Sequence, residues 1–112
     1  MDTFPERDWK VFRELHAVAL ERYCAGVVDE LTRVLLADGP SAHERYLSVH
    51  DLLRTHDPKI ARAFDDIRRS TALDQIVAIC GLGLLRPDEL ARFSDETRAY
   101  VEGIRDAVRR RG

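Results

Sequence analysis

From Trp9 to Leu35, apolar residues recur at steps of three and four, through Phe12, His16, Ala19, Leu20, Tyr23, Val27, Leu31 and Val34, with no proline among them. A stripe sustained for about seven turns predicts one long amphipathic helix, which commits the chain to helix-on-helix packing. The spacing Thr3-x-x-Glu6 offers a capping box for its start, with Asp8 as a later cap, and Asp38-Gly39-Pro40 ends it.

Ser41-x-x-Glu44 is a second capping box, opening a helix with Tyr46, Val49, His50 and Leu53 on one face. Asp57-Pro58 then places a cap before a proline, the preferred start of a helix, and predicts a third helix from Pro58 onward. Its early stripe is Ile60, Ala63, Phe64, Ile67 and Thr71, while the later one, Leu73, Ile76, Val77 and Cys80, is rotated. This rotation means either a bend near Ser70 or burial on several sides, and the near absence of polar side chains after Ala72 favours the second. Gly81 and Gly83 supply the C-terminal stop. Pro87 starts a short turn through Leu90 and Phe93, and Ser94 caps a closing helix whose Tyr100, Val101, Ile104 and Val108 are expected to face inward. No stretch alternates with period two. The expected fold is a single all-α domain over residues 1–112, an antiparallel bundle with a long first helix, two further main helices, a short turn and a closing helix.

Several functions are disfavoured by composition. The least polar stretch, Ile76 to Leu85, is ten residues long and holds two glycines, about half of a membrane span. No basic segment followed by an apolar run opens the chain, so a cytoplasmic protein is expected. Arginine outnumbers lysine and Arg109-Arg110-Arg111 lies near the end, but a net charge of −2 argues against a nucleic-acid partner. Cys24 and Cys80 match no redox or zinc spacing and read as small core residues.

Four histidines, His16, His43, His50 and His56, raise the question of a metal. No Glu-x-x-His occurs, and His43 and His50, seven apart on a helix, would be about 10.5 Å apart along its axis. His16 and His50 are therefore weak metal candidates, and His16 is expected instead at the core edge, hydrogen-bonded across the bundle. No nucleophile elbow or phosphate loop is present, so neither catalytic residues nor a cofactor are expected. The strongest polar cluster is Asp65-Asp66-Ile67-Arg68-Arg69, where Arg68 and Arg69 are candidates for anion or partner binding. Against that stands a solvated face, with Arg69 paired to Asp65 on one helix, or an arginine buried against Glu21 or Glu30.

Asp8-Trp9-Lys10-x-Phe12-Arg13, Phe64-x-x-x-Arg68-Arg69-Ser70 and Leu85-x-x-Asp88-Glu89-Leu90-x-x-Phe93-Ser94 together resemble a family of small bacterial all-helical proteins without an assigned activity. The resemblance implies an intracellular helical protein and transfers no catalytic residue.

Ten of the fourteen residues from Ala72 to Leu85 are apolar, more than one helix face can turn toward a core. A surplus of that size must be covered, and a twofold homodimer with Ile76, Ile79 or Leu82 at the contact is the expected cover. The functional expectation is a non-enzymatic protein-interaction module, homodimeric. The alternative is a small ligand- or metal-binding regulator or enzyme using the histidines with Arg68 and Arg69.

Overall fold

A computed structural model describes residues 4–111, which form five helices and, among the described residues, no strand: α1 (Glu6–Leu36), α2 (Ala42–Phe64), α3 (Ala72–Gly81), α4 (Pro87–Leu90) and α5 (Asp95–Arg111). The Thr3 cap lies outside the described residues. Asp8 does not cap α1, since it sits in the first turn and its carboxylate serves α5, as described below.

The Ser41 capping box forms as expected. The Ser41 hydroxyl accepts from the Glu44 amide at 3.1 Å, and the Glu44 carboxylate accepts from the Ser41 amide at 2.8 Å. These bonds satisfy amide groups that the first turn of a helix leaves without partners. Ser41 is exposed and packs against nothing, so Ser41→Ala should cost about 1 kcal/mol, read from the urea midpoint with the slope unchanged.

Pro58 does not start a helix; it lies inside α2. Proline removes one intrahelical donor and crowds the carbonyl four residues back, here Arg54. Both residues are exposed, so water can take that carbonyl, while Val49, Leu52, His56, Ile60 and Ala63 stay in phase against α1 across the proline. The break falls between Phe64 and Ala72 instead. After α2, Asp65 is extended and Asp66 takes a left-handed conformation, φ 53°, which a short polar side chain tolerates better than most. The rotated stripe therefore belongs to a separate helix, α3, that begins beyond Ser70. At its far end Gly83 adopts φ 73°, a conformation glycine reaches without strain.

The core gathers at one end of the molecule. Phe12, Leu15 and Ala19 of α1 meet Phe64 of α2, Ile76 and Ile79 of α3, Phe93 and Val101. α3 is the central helix, packed on α1, α2 and α5. That corrects the expected dimer contact: Ile76 and Ile79 are buried inside their own chain, and Leu82 is half-buried. Most of the apolar surplus of α3 is covered by three helices of the same chain, and Ala78 stays open along a groove described below.

Beyond the core, the far halves of α1 and α2 continue as a bare two-helix hairpin. The dimensions, 55 × 30 × 25 Å, and the radius of gyration, 17.0 Å, record this arm, since a compact chain of this length would have a radius of about 13 Å.

Candidate functional site

Four polar assemblies tie the helices together. At the first, the Asp8 carboxylate is fully buried and accepts from the Ser94 amide at 2.8 Å, the Ser94 hydroxyl at 2.6 Å and the Thr97 hydroxyl at 2.7 Å. Burial pushes the Asp8 carboxyl up, but the bonds from Ser94 and Thr97 outweigh it and hold it below its ordinary value. Ser94 caps α5 as expected, its hydroxyl lying 3.4 Å from the Thr97 amide, and Asp8 adds a negative charge where the helix dipole is positive.

The second assembly is a two-pronged ion pair. Arg22 Nη1 and Nη2 meet Glu89 Oε1 and Oε2 at 2.7 and 2.8 Å, and Nη1 also donates to the Leu84 carbonyl at 2.7 Å. Glu89 Oε1 further accepts from the Arg86 amide at 2.9 Å. Arg22 first, then the Arg86 amide, lower the Glu89 carboxyl to about 2 against the opposing effect of burial.

At the third, His16 Nε2 donates to the carbonyl of Phe64 at 2.8 Å, so the expected cross-bundle bond is made. It satisfies a carbonyl that the end of α2 leaves without a helical partner. In the fourth, the Tyr23 hydroxyl donates to His56 Nδ1 at 2.5 Å, and His56 Nε2 donates to Glu30 Oε1 at 2.9 Å. The chain joins α1 to α2 where the core gives way to the arm. Desolvation is the main reason the Tyr23 hydroxyl is pushed up, away from the phenolate an activated nucleophile would need.

Sequence reasoning paired neither Arg22 with Glu89 nor Tyr23 with His56. Arg86-x-x-Glu89 has capping-box spacing and could have flagged Glu89 as a turn-closing acid. His56 was hidden by the expected face of the second helix: of Tyr46, Val49, His50 and Leu53 only Val49 turns inward, and the observed stripe runs Val49, Leu52 and His56.

The residues proposed for ligand chemistry are not brought together. Arg68 pairs with Asp66 at 2.7 Å, and Arg69 pairs with Glu6 of α1 while lying 5.5 Å over the Trp9 ring. Neither arginine reaches Glu21 or Glu30, and Arg69 has no Asp65 partner because no helix joins the two positions. His50 and His43 are exposed on α2, apart from His16 at the core edge. Among the described residues no group of three or more His, Cys, Asp or Glu could hold a metal. Cys80 is buried, its thiol pushed up by desolvation, and Cys24 is half-buried. No described helix is long and apolar enough to cross a membrane.

What the fold leaves open are two apolar surfaces. One is the outer face of the arm, where Val28 and Leu35 of α1 are 57% and 56% exposed, and Tyr46 and Leu53 of α2 are 68% and 41% exposed. With about 100° per residue, Cys24, Val28, Leu31 and Leu35 form one stripe. It lies on the flank opposite Phe12, Leu15 and Ala19, the side on which α3 packs. The other is a groove of about 780 Å³ floored by α3, with α2 on one side and α5 on the other. Here the expected inward stripe of α5 is corrected: Val101 is buried, but Tyr100 and Ile104 are exposed on the wall of the groove and Val108 is exposed beyond it.

Compared with known proteins, the chain matches no family model, no curated protein and no solved structure.

Proposed function

We propose that this chain is a non-catalytic protein-interaction module that works as a homodimer, two copies pairing through the outer faces of their α1–α2 arms. The observation carrying this reading is the arm's apolar outer face, formed by Val28, Leu35, Tyr46 and Leu53 and uncovered by any segment of the described chain. A two-helix hairpin has a seam but no second layer. Laying two such hairpins face to face yields the four-helix arrangement in which helical hairpins usually bury their apolar sides. A contiguous exposed apolar patch on a soluble protein generally marks an interaction site. The polar assemblies support a non-catalytic role, because each has its groups satisfied by helix ends or by one another.

Sedimentation equilibrium of the intact chain should return twice 12.8 kDa. The double variant Leu35→Arg, Leu53→Arg should return the single mass with an unchanged circular dichroism spectrum, since both side chains are exposed in the single chain. A single mass for the unmodified chain at high concentration would overturn the dimer, and so would a double variant that keeps the doubled mass.

A further inference from the structure

The groove between α2 and α5 is separate from the arm, and its chemistry is more specific. Its floor is apolar, from Ala78 of α3 and Leu82 just past its end, and Tyr100 and Ile104 of α5 continue that surface up one wall. Gln75, the buried polar residue at the floor, is engaged through both polar atoms: its amide nitrogen donates to the Asp65 carbonyl at 2.9 Å, and its oxygen accepts from Thr71 at 3.1 Å. The floor is therefore a mainly apolar surface, better suited to apolar side chains than to a small polar ligand.

Charges line the rim, and they are segregated. Lys59 and Arg62 stand one turn apart along the α2 wall. Asp65 and Asp66, with Asp74 of α3, cluster at the end where α2 stops. Among the described residues Lys59, Arg62, Asp65 and Asp74 make no ion pair. The apolar wall also runs on past the groove. From Tyr100 through Ile104 to Val108 it extends about 12 Å along α5, which asks for an elongated occupant rather than a compact one.

We infer that this groove receives an amphipathic helix of a protein partner, its apolar stripe on Ala78, Leu82, Tyr100 and Ile104, its flank toward Lys59 and Arg62 acidic, and its end toward the unpaired Asp65 and Asp74 cationic. The positive end of the helix dipole is its N-terminus, so the partner helix enters with its N-terminal end at the aspartates. Apolar anchors spaced three and four apart supply affinity, and the segregated rim charges fix direction and exclude the reversed pattern.

The probe is a synthetic peptide of about fourteen residues, roughly 21 Å as a helix, with leucines at three- and four-residue spacing, glutamates along one flank and two lysines at its N-terminal end. Its control carries the same leucines with every charge reversed. Fluorescence titration against the intact chain should give saturable binding of the first peptide at least about tenfold tighter than the control. Ile104→Arg should abolish binding, and Lys59→Glu with Arg62→Glu should invert the preference between the two peptides. All these side chains sit at the surface of the groove, and an unchanged circular dichroism spectrum certifies that each variant is folded. Absent or non-saturable binding would overturn the proposal, as would equal affinity for the two peptides. A change in sedimentation mass on Ile104→Arg would assign the groove to a second copy of this chain and equally overturn it. Arm pairing is read from the mass of the unmodified chain, so failure here leaves that reading standing.

Discussion

Asp8→Ala is expected to lower stability by about 3–4 kcal/mol, a large part of what a chain of this size possesses. The buried carboxylate accepts three hydrogen bonds, one from a backbone amide and two from hydroxyls, and all three donors belong to Ser94 or Thr97. Truncation removes charge-assisted bonds and also leaves the donors buried without an acceptor, and this second penalty makes the loss large. Asp8→Asn keeps the volume but loses the charge, and its NH2 group forces the Ser94 and Thr97 hydroxyls to turn from donors into acceptors, so about half the loss should remain. Because the folded carboxyl lies below its ordinary value of 3.8, the contribution is complete above that value and fades as pH falls through the lower, folded one. Urea unfolding at neutral pH and again below pH 3 measures both effects. A loss under about 1 kcal/mol at neutral pH would show that α5 is held mainly by Val101 and Phe93.

Asp8 also shows what was legible in the sequence and what was not. Local rules read local chemistry well: the Ser41 box, the Ser94 cap, the end of α1 at Asp38-Gly39-Pro40 and the all-helical class each depend on residues within four positions of one another. The partner of Ser94 lies 86 residues away, and no local pattern carries that distance. The short motifs that suggested a family resemblance meet in space, Asp8 with Ser94 and Arg69 over Trp9, so their residue choices have a reason in packing. Pro58 misled because a proline after aspartate is a good start signal whose weight depends on the far side of the helix. With α1 alongside to hold the stripe in phase, one missing hydrogen bond facing water is tolerable.

The dimer contact was misplaced for a related reason. The excess of apolar residues in α3 was correctly seen as more than one face could use, but how many neighbours a helix has is a property of topology. α3 touches three helices, which bury Ile76 and Ile79 within their own chain. The surfaces that do remain uncovered, on the arm and on α5, carry ordinary-looking stripes. On the arm they are exposed because the core gathers at the other end of α1 and α2, and on α5 because a groove separates it from α2, arrangements that appear only once the true boundaries at Phe64, Ala72 and Gly81 are known.

Glu89→Gln should cost about 2 kcal/mol at neutral pH, with a pH dependence that identifies the cause. The substitution preserves shape and one acceptor while removing the charge that holds both guanidinium nitrogens of Arg22. Arg22 remains one-third exposed and can be rehydrated, which keeps the loss below that of a fully buried pair. The Glu89 carboxyl titrates at about 2 in the folded chain against an ordinary 4.5. Its contribution is therefore complete above pH 4.5 and drains away as the pH falls from there through 2. The stability gap between the parent and Glu89→Gln should be widest near neutrality and close steadily on acidification. Arg22→Met should show a similar gap, and combining it with Glu89→Gln should cost less than the sum of the two, since both remove one interaction. Parallel urea midpoints for parent and variant from pH 7 down to pH 2.5 would show that Glu89 acts through its shape and the Arg86 amide, with no contribution from its charge.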